Sequence, residues 1–462
     1  MIPSFVGSLV FVHQCYYGPG TWITLLYAAG MTVWATAVLE GWKRKESRLA
    51  HRWGVLDMQE LEQERPSFEG TLRYDTVDER YVTTFSRLEQ SKRYVVTVPI
   101  ILLTLLAVGG ITFFYFQLES YTNDNITEEF GWTGMWTVVA LLPCILYAVV
   151  VMVLDALYLT LAVKLNEYEN HRTESEFADS LVIKLASFYF INNFGLLFYI
   201  AFFLQDFELL QSTLGSLLVI RQVIGNVKET LVPYLMTSRS QKTASNIEKS
   251  EMTLKQNGLL AEGSLPVYDG TFDDVLELFV QFGQVTLFAA AYPLAGLCSL
   301  ANNVLEIRAD AFKICTTHRR PMPVQCKGIG TWLKAFECLG YIAVLTNCTL
   351  VGWLYASPTT PQSTTLLNIV VAEHILIAIK LIVDAVIPDV PSDVVDLQKA
   401  ERKALLKKAV QGNMEGEENT LEQERSKRKE LEREVLQLSA LYKKWVFQET
   451  EKKSAETKTK AS

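Results

Sequence analysis

The chain has 462 residues, of which 49% are hydrophobic and 20% charged, with a formal net charge of −8. So apolar a composition argues against a soluble enzyme, and nothing in it supports nucleic-acid binding. The seven cysteines, Cys15, Cys144, Cys298, Cys315, Cys326, Cys338 and Cys348, include no CxxC pair and several lie in apolar runs, which argues against a zinc site or a disulfide framework.

Long apolar runs recur along the chain, Val95–Phe116 and Met135–Val153 being the clearest, and runs near 18 residues read as transmembrane helices. Spans are expected near 3–15, 21–40, 95–117, 132–163, 181–204, 209–235, 274–294, 296–313, 331–356 and 366–387. The opening residues lack a basic n-region, so a cleaved signal peptide is not expected.

Orientation follows from the loops. Gln117–Phe130, Gln205–Glu208 and Ser357–Leu366 contain no Lys or Arg, whereas the alternate loops carry Lys43-Arg44-Lys45, Lys92-Arg93 and Arg319-Arg320. The positive-inside bias makes the alternate loops and the C-terminal tail cytoplasmic. The expected divisions are 1–40 for the first two helices, 41–94 for a cytoplasmic loop and 95–235 for helices three to six. They continue with a second cytoplasmic loop over 236–273, helices seven to ten over 274–390 and a helical tail over 391–462. Asn125-Ile126-Thr127 is an outer-loop glycosylation sequon, while Asn347-Cys348-Thr349 should be buried in a span.

Five acids lie inside or at the edge of these spans: Glu229, Asp274, Glu277, Glu306 and Asp310. Each carboxylate in hydrocarbon costs roughly 2.5–3.5 kcal/mol, so the set would cost on the order of 12–17 kcal/mol without a counter-charge. The topology puts all five in the cytoplasmic third of the membrane. Asp274 and Glu277 are spaced i,i+3 and Glu306 and Asp310 i,i+4, so each pair projects from one helix face. That many hard oxygen ligands suit Ca²⁺ better than Mg²⁺ or zinc, and two calcium ions would nearly balance five carboxylates. Two other readings compete: ion pairing with Lys228, Arg308 or Lys313, and a proton relay.

Longer motifs then become recognisable. Asn166-Glu167-Tyr168-Glu169-Asn170-His171-Arg172-Thr173, Phe188-Tyr189-Phe190-Ile191-Asn192-Asn193 and Leu278-Phe279-Val280-Gln281-Phe282-Gly283 resemble the anoctamin family. So do Asn302-Asn303-Val304-Leu305-Glu306-Ile307-Arg308-Ala309-Asp310, Glu40-Gly41-Trp42-Lys43-Arg44-Lys45 and Ile387-Pro388-Asp389-Val390-Pro391, which together span residues 5–395 nearly throughout.

The resemblance implies an all-α, ten-helix, homodimeric membrane protein activated by calcium, either a phospholipid scramblase or an anion channel. It carries Glu229, Asp274, Glu277, Glu306 and Asp310 over as a site for two calcium ions per subunit. The family has an Asn four residues before the first glutamate; here that position is Gly225, and Asn226 at i−3 is a less secure ligand. Family acids also match Glu40, Asp384 and Asp389, a second metal position for a third ion near the dimer interface. Relative to the family, the chain begins partway through the first helix. The expectation is therefore a fungal-type or scramblase-type member lacking most of that helix and the N-terminal cytoplasmic domain.

The cargo is expected to be membrane phospholipid, moved passively along a polar groove with accompanying non-selective ion conduction, in the plasma membrane or endoplasmic reticulum. Polar surface at membrane depth is tolerated where it lines such a cavity. The groove candidates are Thr133, Thr137, Tyr147, Asp155 and Tyr158 on the fourth helix, Asn192 on the fifth, and Arg221 and Lys228 on the sixth. The alternatives are a calcium-activated chloride channel using Arg221 and Lys228 to attract the anion, a membrane tether, or a nonfunctional fragment. No GxxxxGK[ST] nucleotide motif and no catalytic residue set is read. In the tail, Leu431, Val435, Leu438, Tyr442 and Trp445 form a short heptad seam.

Overall fold

The structure is a computed structural model and describes residues 1–56, 62–75, 80–122, 135–227, 263, 265–268, 270–323, 326–354, 361–414, 426–441 and 443. Two compact units divide it, 1–389 and 390–462.

In the first unit the helices are α1 (Ile2–Tyr17), α2 (Trp22–Arg52), α3 (Arg87–Thr122), α4 (Met135–Tyr168), α5 (Glu174–Tyr199), α6 (Phe207–Asn226), α7 (Phe272–Leu287), α8 (Ala295–Phe312), α9 (Thr331–Leu354) and α10 (Gln362–Val386). Five of the helical segments, Trp22–Arg52, Arg87–Leu118, Glu174–Leu204, Thr331–Leu354 and Gln362–Val386, are long and apolar enough to cross a membrane. The protein is an all-α polytopic membrane protein. A small sheet among the described residues was not anticipated: β1 (Thr71–Asp75) pairs antiparallel with β2 (Arg80–Thr84), Thr71 opposite Thr84.

Local sequence explains the helix ends that hold the bundle in register. Thr173 caps α5 by accepting the Glu176 N–H at 3.2 Å, and the Glu176 carboxylate accepts the Arg172 N–H at 3.1 Å, a capping-box arrangement. At the opposite end α5 widens into a π-helical turn, Ile200–Leu204. Gln205 then turns left-handed at φ 57°, and Asp206 accepts the Leu209 N–H to start α6.

The seventh span departs from the expected single helix over 274–294. Helix α7 stops at Leu287, and the chain turns through Phe288–Leu294 before α8 begins. Non-helical backbone at this depth must have its polar groups satisfied by protein. The Asn347 amide on α9 does so twice, donating to Thr286 O at 2.7 Å and accepting from Ala290 N at 3.0 Å. Tyr27 on α2 donates to Pro293 O at 3.2 Å, and Ser4 on α1 donates to Gly296 O at 2.8 Å. Asn347 is thus buried as expected, its amide spent on structure.

The main core gathers around these turns, with Phe194, Leu197, Leu210, Leu214, Leu287 and Phe288 fully enclosed. A smaller cluster joins α3, α4 and α5 through Val108, Tyr158, Ala162, Leu185 and Phe188. The second unit contains α11 (Ser392–Met414) and a further helical stretch at 426–441. In that stretch Leu431, Val435 and Leu438 lie exposed, while Tyr442 and Trp445 fall outside the described residues.

Candidate calcium-binding site and its surroundings

Four of the five expected calcium ligands are described, two on each of α7 and α8; Glu229 and Lys228 lie outside the described residues. The helices place them as spacing predicts. Asp274 stands in the first turn of α7, at the helix end where the backbone dipole favours an anion. Glu277 is one turn on, beside Gly225 of α6: a Cβ built on Gly225 would lie 3.6 Å from Glu277 Oε1. Asn226 is the last residue of α6, and its side chain lies outside the described residues.

On α8, Asn302 donates its amide to Glu306 Oε2 at 3.1 Å and holds that carboxylate in one orientation. Asp310, a turn later, lies within electrostatic reach of Asp274 and of Lys313. Lys313 itself bonds Asp274, its Nζ 3.1 Å from Oδ1, while Tyr268 donates its hydroxyl to Oδ2 at 2.9 Å. Burial first, and then this bond to the carboxylate, raise the Tyr268 hydroxyl to about 12.

For Asp274, therefore, the ion-pair reading holds in this arrangement. Among the described residues no three of His, Cys, Asp and Glu converge closely enough to hold a metal. The donor chemistry nonetheless fits a hard cation: every candidate is a carboxylate or amide oxygen, carried on adjacent helices. Tyr268 was missed by sequence reasoning, because it lies outside any span and only the fold brings it to the acids.

A cavity of about 370 Å³ opens from this cluster toward α4, with Asp155, Gln222, Gly225, Glu277, Gln284 and Asn302 in its wall. Asp155 of this wall also accepts the Asn192 amide, at Oδ1 and 2.9 Å. Tyr158 does not join them. Its ring stacks on Phe188 at 4.0 Å and its hydroxyl donates to Lys184 O, so this groove candidate is corrected to a packing residue between α4 and α5. Thr133 lies outside the described residues, and so do the side chains of Thr137, Tyr147 and Arg221.

The second expected metal position is occupied by a lysine. Lys43 Nζ lies 2.9 Å from Glu40, 2.8 Å from Glu337, 3.0 Å from Asp384 and 3.8 Å from Asp389. Sequence reasoning found three of these acids and missed Glu337, whose α9 position carries no local signal. The i,i+3 spacing of Glu40 and Lys43 was readable and marks the pair.

The Asn-Glu-Tyr-Glu-Asn-His-Arg motif turns out to build the α4–α5 turn. Glu169 Oε2 receives bonds from Lys184 at 2.7 Å, His171 at 3.0 Å and the half-buried Ser180 at 3.1 Å, with Glu169, His171 and Lys184 buried. Burial alone would raise the Glu169 carboxyl; the bonds from His171 and Lys184 outweigh it and hold it at about 2. Asn170, left-handed at φ 58°, pairs its amide with both backbone groups of Glu69 and ties the segment before α3 to the turn.

Known proteins resemble the chain over most of its length. Residues 1–401 match the family model described as Anoctamin: Calcium-activated chloride channel. Anoctamin-10 of Mus musculus is 37% identical over 378 residues, covering 79% of this chain and 57% of the relative. Anoctamin-10 of Danio rerio is 37% identical over 394 residues, covering 82% and 60%. Anoctamin-4 of Homo sapiens is 30% identical over 374 residues, covering 71% and 38%. The chain spans less than two thirds of the length of these relatives. Taken with the broken seventh span and the acids of α7 and α8, a match over residues 1–401 places the chain in the anoctamin family.

Proposed function

We propose that the protein is a calcium-activated phospholipid scramblase that lets lipids exchange passively between leaflets along the polar faces of α4, α5 and α6, with non-selective ion conduction along the same path. The observation that carries this reading is the polar cavity shared by Asp155 and Glu277, which joins a groove helix to the calcium-bearing helix. Polar surface at this depth is costly unless it lines a wet path.

Two calcium ions would be held by Glu229, Asp274, Glu277, Glu306 and Asp310. When bound, calcium supplies positive charge that turns carboxylate repulsion into attraction. The chain's own residues do the rest. Asn302 orients Glu306, and Gly225 leaves room for α6 to close on Glu277. Ligands drawn from three helices give the ion a different affinity for each arrangement of those helices, which is what a ligand-driven switch requires. Glu40, Asp384 and Asp389 form the second position in this scheme, the protein works as a homodimer, and its C-terminal tail is cytoplasmic.

Anion conduction is the second reading, favoured by the family model's own description as a calcium-activated chloride channel. Liposomes containing the protein and fluorescent lipids separate the two. Scrambling predicts calcium-stimulated loss of lipid signal to an outside quencher; chloride flux without lipid exchange would favour the channel.

A further inference from the structure

We infer that Lys43 is a built-in cation of the second metal position, and that a divalent ion binds there by displacing it, with Glu337 as a fourth carboxylate of the site. The inference rests on the second-position reading proposed above and adds the step that regulates it.

Four acids from three helices surround one ammonium. Glu40 comes from α2, Glu337 from α9 and Asp384 from α10, with Asp389 just beyond α10. Three of the four approach Lys43 Nζ to 2.8–3.0 Å. Ammonium has three protons to give, and three carboxylates take them. Lys380 is a further cation whose charge reaches this group, and four carboxylates set formally against two ammoniums leave two negative charges over.

Glu40 supplies the independent sign that a ligand is missing. Its side chain is 3% exposed, one oxygen meets Lys43, and the other, Oε2, is buried without any hydrogen-bond partner. A buried carboxylate oxygen left unpaired is costly, and a cation that takes six to eight oxygens would satisfy it where a single ammonium cannot. The exit for Lys43 is short. Asp384 and Asp389 are 50% and 69% exposed in the single chain, which leaves the ammonium on its flexible stem a path past them. Because the ion and the ammonium claim the same oxygens, they cannot be bound together.

The test measures equilibrium calcium binding to the full chain in nanodiscs, on an Asp274→Ala, Glu277→Ala background that silences the main site. Lys43→Gln is expected to lower the apparent calcium dissociation constant at least fivefold, Lys43→Arg to leave it within twofold, and Glu337→Gln to raise it. In the chain with native Lys43, calcium is expected to increase acylation of the Lys43 amine at least threefold, read by mass spectrometry; this readout stands even if Lys43→Gln fails to fold. Unchanged affinity in Lys43→Gln, or acylation unaffected by bound calcium, overturns the displacement. If Glu40→Gln leaves calcium stoichiometry unaltered, calcium does not use this position at all, and the second-position reading falls along with the inference.

Discussion

Lys313 Nζ lies 3.1 Å from Asp274 Oδ1, so the first acid of the proposed calcium site is held by the lysine that directly follows Phe312 at the end of α8. This contact spans the two helices that calcium would bridge, and an ammonium there competes with the ion for the same oxygen.

Lys313→Gln should therefore raise calcium sensitivity. Both side chains are partly solvated, which limits the pair to about 1 kcal/mol, and the half-activating calcium concentration should fall by about threefold to tenfold. Titrating lipid exchange against free calcium checks this. Tyr268→Phe, which removes the other donor to Asp274, should shift the curve the same way by a smaller factor.

Gly225→Asn should also sharpen the response. Its Cβ would sit 3.6 Å from Glu277 Oε1, an ordinary contact, so the backbone there accepts a side chain that would bring an amide oxygen beside Glu277. The expectation is a threefold or greater gain in apparent affinity, on the order of 0.7 kcal/mol, with no loss of folded protein. A weakened response would show that α6 needs the glycine for movement instead.

The buried pair in the α4–α5 turn carries stability. Lys184→Met leaves Glu169 uncompensated and should cost about 3–5 kcal/mol, read as a fall in the thermal unfolding midpoint in detergent. Adding Glu169→Gln should recover part of that loss, because no buried charge is then unpaired.

The same turn predicts an acid dependence. Glu169 is held at about 2 against an ordinary 4.5, a depressed value, so its stabilisation is fully present above 4.5 and is lost as pH falls from there toward 2. Glu169→Gln should flatten the unfolding midpoint across that window, and a midpoint with unchanged acid dependence would contradict the role given to this residue.

Much of this arrangement could be read from residue spacing. Apolar runs marked stretches that fold as helices, and the i,i+3 and i,i+4 acids do lie on α7 and α8, because helical periodicity is local. The Phe288–Leu294 break was not legible: its backbone is satisfied by Tyr27 and Asn347, far away in sequence. Tyr268 and Glu337 escaped for the same reason. Lys43 escaped for another, since Lys43-Arg44-Lys45 read as a solvated topological signal while its first member folds back onto Glu40.

The most direct measurement of the central claim uses the full chain in liposomes with fluorescent phospholipids, following outer-leaflet quenching with and without calcium, for wild type and for Asp274→Ala with Glu277→Ala. The account predicts calcium-stimulated lipid exchange in the wild type and loss of that stimulation in the double variant, with the protein still folded. Equal stimulation in both would contradict the assignment of the calcium site to α7.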